Sequence, residues 1–187
     1  MPVITPINIH VGRGDIWIGV SVPTSGNSVA LDANGAPADG RNIGATLAPA
    51  NWAYRPTTFD IRTQQNTGIV GYVVTEEDLR IDFEVGELTY LNLKDMLVTP
   101  RDQSTFVSVG GNIVPPLQSC LIVAPRRGGG YIEAMVYLAA FLEARELVFN
   151  RAGQISIRVA ARGQAVTTRP LGDQLGFIHP AVVPTLS

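Results

Sequence analysis

DLRIDFEVGELTYLNLKDML, residues 78–97, changes its hydrophobic period once. From Leu79 to Val85 apolar and polar residues alternate without a break, the period of a strand with one buried face. Leu79, Ile81, Phe83 and Val85 fall on the apolar side, and Arg80, Asp82 and Glu84 on the other. From Glu87 the spacing becomes three and four. Tyr90, Leu93, Met96 and Leu97 then share one face of a helix, with Lys94 and Asp95 away from it. Glu87 in the first turn suits the helix dipole, and Pro100 ends the pattern. The stretch predicts a strand over Leu79–Val85 and a helix over Glu87–Val98.

Strand signals surround it. Upstream, Phe59–Thr63 and Ile69–Thr75 are joined by the turn QQNTG, and Glu76, Glu77 and Asp78 read as a bend before Leu79. Short turns make an antiparallel meander. Asp15–Val22, Phe106–Val109, Leu117–Ala124, Tyr131–Tyr137 and Gln154–Ala160 also have strand character. Residues 138–149, LAAFLEARELVF, fit helix or strand by periodicity, and the flanking β runs favour strand. From Pro23 to Thr58 the chain carries four glycines, four prolines and four asparagines, which predicts a long loop. Trp52 and Tyr54 sit within it, either as anchors docked onto another surface or folded back on their own domain. Beyond Arg169 three prolines and little periodicity predict an arm. No internal repeat is visible.

The 187 residues suit one domain with extensions, and a hydrophobic content of 45% supports a core. Only 16% of residues are charged, a composition compatible with surface hidden in an oligomer. A net charge of -2 gives no bulk basicity for tight nucleic-acid binding. Arginine supplies nearly all the positive charge, Lys94 being the one lysine. The N-terminal MPVITPINIHV lacks a basic region and a long apolar run, so no signal peptide is read there, and no segment is long and apolar enough to span a bilayer.

Chemistry is sparse. Cys120, the single cysteine, sits in LQSCLIVA and reads as a buried small hydrophobe. His10 and His179 lie in the two terminal segments with no partner at metal-ligand spacing, and read as contact residues. GVSVP, residues 19–23, lacks the second glycine of a nucleophile elbow. Gly12-Arg13-Gly14-Asp15 lacks the third glycine of a dinucleotide fingerprint and precedes a strand. PRRGGG, residues 125–130, could cradle a phosphate but reads better as a flexible connector between strands. Asp82 and Glu84 share one face of one strand, whereas glycoside hydrolysis needs carboxylates on both sides of the scissile bond. The sequence carries no catalytic constellation, metal site or cofactor motif, so a non-enzymatic protein without cofactors is expected.

Four features in order resemble a known family: GDIWIG, then a Gly/Pro-rich loop containing NIGAT, then FDIRTQQNTGIVGYVVTEEDLRIDFEVGELTYLNL, then RAGQISIRVAARGQA. Together, over roughly residues 11–164, they resemble the tail tube (major tail) proteins of long-tailed bacteriophages. No single motif is specific, and the order of elements carries the likeness. The resemblance implies a mainly β fold: an antiparallel β-sandwich or split barrel with one flanking helix, a long loop and terminal arms. It implies one domain over 1–187, with an N-terminal arm (1–12), an inter-ring loop (23–58) and a C-terminal arm (169–187). It further implies hexameric rings stacked into a tube that conducts DNA to the host cell without binding it specifically. The protein would then reside in the virion, assembled in the bacterial cytoplasm, with no membrane partner. Its other partners would be tape measure, tail terminator and distal tail proteins.

With four strands per subunit the shared barrel would be roughly 40–50 Å across. On this reading Arg80, Asp82 and Glu84 face the bore as a mixed, net-negative ring, and negative walls disfavour sticking of phosphate. Trp52, Tyr54, Arg55, His10 and Phe177 are the expected contacts between subunits or rings. Deleting residues 26–50 is expected to leave a folded subunit that does not polymerise. Alternatives are another ring-forming tail component, such as a tail terminator or head–tail joining protein, or a β-sandwich binding or decoration module.

Overall fold

A computed structural model describes residues 14–24, 28–62, 69–97, 116–149 and 155–185. The chain forms β1 (Asp15–Ile18), β2 (Arg41–Asn42), β3 (Thr46–Ile61), β4 (Gly71–Val85), α1 (Tyr90–Leu97), β5 (Leu117–Pro125), β6 (Tyr131–Phe149), β7 (Ile155–Gly163) and β8 (Gly176–Val182). The strands join in one antiparallel sheet ordered β2-β1-β5-β6-β7-β4-β3, with β8 also on β6. The expected mainly β fold with one flanking helix is what the chain adopts. Among the described residues β2 and β3 do not pair, so the sheet is not closed into a barrel.

β6 organises the sheet. β5 runs along one edge of it, while β8 and then β7 share the other. Met135, Val136 and Tyr137 are consecutive and fully buried because both faces of β6 are covered. The same double burial continues through Ala139, Ala140 and Phe141, where alternation is lost, and the strand reading of 138–149 is correct. On one face lies the main core: Ile16 and Ile18 of β1, Leu79, Ile81, Phe83 and Val85 of β4, Ile157 and Val159 of β7, Phe141 of β6 and Met96 of α1. The two halves of the sheet thus curl around one interior. The other face of β1, β5 and β6 is covered by Val29 and Leu31 and by Phe177 and Val182 of β8.

The opening stretch behaves as its alternation requires. Leu79, Ile81, Phe83 and Val85 are buried, and Arg80, Asp82 and Glu84 are half-exposed. The helix is shorter than expected. Thr89 caps it, its Oγ1 accepting the Asn92 amide at 3.2 Å. Asn92 is buried and donates to the carbonyls of Ile43 and Glu87, both at 2.8 Å. Arg41 bonds Asn92 Oδ1 and also pairs with Asp95 at 2.6 Å. These bonds tie the helix to the segment before β3.

Several boundaries are corrected. The runs expected at Ile69–Thr75 and Leu79–Val85 join in one strand, Gly71–Val85, and the acids at 76–78 make no bend. The loop assigned to 23–58 ends at Ala45, because Thr46–Thr58 belongs to β3. Pro49 and Pro56 misled the sequence reading. Among the described residues β3 pairs on one side only, and an edge strand tolerates residues without an N–H. Described residues in the rest of the loop fold onto their own domain, with Leu31 and Ile43 buried. Deletion of 26–50 would therefore remove core residues and the start of β3, so the expectation of a folded subunit is withdrawn.

The arm assigned to 169–187 is likewise corrected. Arg169 stacks 4.1 Å from the Tyr137 ring centroid, pairs with Asp173 at 2.8 Å and donates to the Pro23 carbonyl at 2.5 Å. Gly176–Val182 then pairs with β6, and the Thr185 amide bonds the Leu31 carbonyl at 2.9 Å. Pro180 hides this strand from sequence reading, and it sits where the β6–β8 register shifts.

PRRGGG forms a tight turn rather than a loose connector. The Arg126 amide donates to the Gly130 carbonyl at 3.0 Å, and Gly129 and Gly130 have positive φ of 88° and 72°. The strand expected at Phe106–Val109 and the N-terminal arm lie outside the described residues.

Candidate functional site: a charged sheet face and a projecting ribbon

The polar side of β4 meets the polar side of its neighbours. Register places Arg55 beside Asp78, Asn51 beside Asp82, Arg162 beside Arg80 and Arg158 beside Glu84. The result is a lattice of ion pairs. Asp78 accepts from Arg80 Nε and Arg162 Nε, each at 2.7 Å, and Arg162 also reaches Glu76 at 3.3 Å. Glu84 accepts from Ser156 Oγ at 2.5 Å and Arg158 Nε at 3.4 Å, while Arg158 lies 3.7 Å from Glu146. Asp82 is more lightly held, 3.5 Å from Asn51 Nδ2.

Glu76, Asp78, Asp82, Glu84 and Glu146 thus share this face with Arg55, Arg80, Arg158 and Arg162. Among the described side chains the acids exceed the arginines by one. The face is mixed and close to neutral, with the same excess of one acid that Arg80, Asp82 and Glu84 give by themselves, now spread over nine charged side chains. The alternation of ISIRVAARG carried the missed signal: Arg158 and Arg162 stand on one side of β7. What no pattern supplied was the register that sets them against β4.

Partial burial alone would raise the Asp78 carboxyl. The hydrogen bonds and charges of Arg80 and Arg162 outweigh it and hold the group below the usual aspartate range. Stability from this seam is present above the ordinary aspartate pKa and is lost as pH falls through the lowered folded-state value. In acid titrations followed by melting temperature, Asp78→Asn is expected to lose stability less steeply than the native chain. Equal slopes would contradict this account of the seam.

β4 meets β7 only from Arg80 to Val85. Beyond Leu79, β3 and β4 pair only with each other among the described residues and project as a two-stranded ribbon. Phe59 (66% exposed) and Tyr72 (67%) stand on opposite faces of it, because Tyr72 pairs with Asp60 and Phe59 with Val73. Ile61, Ile69, Val70, Val73 and Val74 are exposed as well. A lone ribbon is marginal in water, and a contiguous apolar surface of this kind marks an interaction site. Sequence reading saw these strands but not that they outrun the sheet.

The expected contact residues divide. Trp52 pairs with Ile81 in register, faces the core side and packs against it, so it is chiefly an intramolecular residue. Tyr54 is 44% exposed and donates to Glu77 Oε1 at 2.5 Å, a bond that raises its hydroxyl pKa. Both line a groove of about 370 Å³ against Leu175, Gly176 and Phe177. Arg55 is exposed on the charged face. Phe177 is buried under its own sheet, which corrects its assignment as an inter-subunit contact. His10 lies outside the described residues. Cys120 is fully buried, and burial pushes its thiol up to about 12.

Among the described residues no cluster of three or more His, Cys, Asp or Glu could hold a metal, and no helix is long and apolar enough to cross a membrane. No protein-family model matches the chain, and no curated protein matches it significantly.

Proposed function

We propose that this chain is a structural subunit that assembles with copies of itself into stacked rings, forming a tube of the bacteriophage-tail kind that conducts DNA. The observation that carries the reading is the β3–β4 ribbon. Its outer part carries exposed apolar side chains on both faces, it pairs with no third strand beyond Leu79 among the described residues, and its β3 side, sixteen residues long, is unpaired among them. An edge of that length invites another strand, and closure of a sheet across subunits removes it. The open sheet and low charge content support the same reading. The partners would be copies of this chain first, then the tape measure, terminator and distal tail proteins that the resemblance implies. Electron microscopy of the purified protein tests it: hollow tubes are expected, whereas single rings or monomers would overturn it.

In such a tube the charged face of β4 and β7 lines the bore. Near-neutral pairing of its charges serves a conduit, since a wall whose arginines are occupied by carboxylates releases few counterions from DNA. Asp82 is the residue to test, because its loss breaks little else. Tubes of Asp82→Lys carry six added positive charges per ring, and the net change is twice that. They are expected to retain duplex DNA at low salt and release it as salt rises, while native tubes retain none. Retention by neither would remove the bore from this face.

A further inference from the structure

β7 and β8 follow one another along one edge of β6, β7 from Ala139 onward and β8 from Val136 back to Tyr131. β4 pairs with β7 as far as Arg80 and, among the described residues, with β3 alone beyond it. The groove of about 370 Å³ opens at that point, between the root of the ribbon and β8. Tyr54 and Glu77 of the ribbon root face Leu175 and Ile178 across it, and Ile178 is 52% exposed. Leu171, 92% exposed, stands at its rim beside the lining residue Gly172.

That rim is held in place by its own chain. The Asp173 amide donates to the Pro170 carbonyl at 3.1 Å, closing a turn around Leu171 and Gly172, and Gly172 has a φ of 87°. Arg169 pairs with Asp173 at 2.8 Å and stacks on Tyr137, whose hydroxyl donates to Asp173 at 2.6 Å. A seat formed in advance loses little freedom when it is filled.

A head-to-tail contact between identical subunits needs two different surfaces that fit each other. The ribbon end offers the projecting one, with Phe59 and Tyr72 both about two-thirds exposed. The groove offers the concave one. From Leu79 to Tyr72 β4 runs about 23 Å at the ordinary rise of a strand, so a copy's ribbon end stands clear of its own groove. The charges agree as well. Arg62 at the ribbon end has a side chain 65% exposed and only a loose pair with Asp60 at 3.7 Å, and Glu77 is exposed at the groove. We propose that this groove receives the ribbon end of a second copy, an aromatic ring seated between Tyr54 and Ile178. The assignment rests on the reading of the ribbon as a self-assembly surface and supplies its receptor.

Sedimentation of the full chain tests it with one variant for each half of the contact. Phe59→Ser with Tyr72→Ser removes the ribbon's rings and keeps the groove. Ile178→Asp spoils the groove and keeps the ribbon. Each alone is expected to need at least about tenfold more protein to assemble than the native chain, the effect of one apolar side chain left unburied. The two are then mixed one to one, at the highest concentration at which each alone stays monomeric. A dimer that grows no further is expected, because each pair holds one sound ribbon and one sound groove. Assembly of Ile178→Asp at the native concentration, or a mixture that stays monomeric, overturns the groove's part and leaves the ribbon's standing. A native chain that never assembles overturns both. Should Ile178→Asp fail to fold, Leu171→Asp takes its place with the same expected and contrary results, since a side chain so exposed on a turn contributes little to the fold.

Discussion

Phe83→Ala is expected to lower the unfolding free energy by about 3–5 kcal/mol, the range for deleting a buried aromatic ring. Phe83 is 4% exposed and meets Phe141 edge to face, with ring centroids 6.4 Å apart and planes at 82°. It stands where the two curled halves of the sheet share their core, beside β7 and across from β6. Domains of this size are stable by only about 5–15 kcal/mol, so the variant should be near the edge of folding. Urea denaturation measures the loss, and Phe83→Leu should restore much of it by refilling volume. A cost below about 1 kcal/mol would mean that Phe83 does not fill the core as described.

Phe59→Ser combined with Tyr72→Ser is expected to do the opposite: leave the subunit's stability unchanged and abolish assembly. Both rings are about two-thirds exposed on the ribbon, so the isolated subunit loses little when they go. If each ring is buried against a second copy, the assembly loses about 1.5–3 kcal/mol per ring. That is about 3–6 kcal/mol per subunit, or roughly 10²–10⁴ in the concentration needed to assemble. Sedimentation of native and variant protein across a concentration series measures it. Assembly at the native concentration would detach the ribbon from any interface.

Elements whose signal is local were legible in the sequence. Leu79–Val85 alternates because one face is core and the other polar, and burial follows that pattern residue by residue. Cys120 was legible for a similar reason, sitting in a run that only a buried strand explains. What was not legible depends on partners distant in sequence. β8 exists because β6 offers it an edge, and nothing in GFIHPAV announces that. β3 is a strand despite Pro49 and Pro56 because, among the described residues, its outer side has no ladder to break. The acids at 76–78 read as a bend because charge clusters usually mark turns. In the folded chain Glu76 and Asp78 are held in an extended strand by arginines from β7 and β4 itself.

The candidate site was half legible for the same reason. Arg80, Asp82 and Glu84 were placed together correctly by period alone. Their neutralisation by Arg158 and Arg162 required the β4–β7 register. Glu133 had a visible signal, an acid on the apolar side of YIEAMVY, but its partner, the Val29 amide, comes from a segment 104 residues away.

The central claim is that the exposed ribbon is an assembly surface between copies of this chain. Electron microscopy of the purified protein, native beside Phe59→Ser with Tyr72→Ser, tests it most directly. Hollow tubes from the native chain and dispersed, folded monomers from the variant are the predicted result. Monomers from both, or tubes from both, would contradict it.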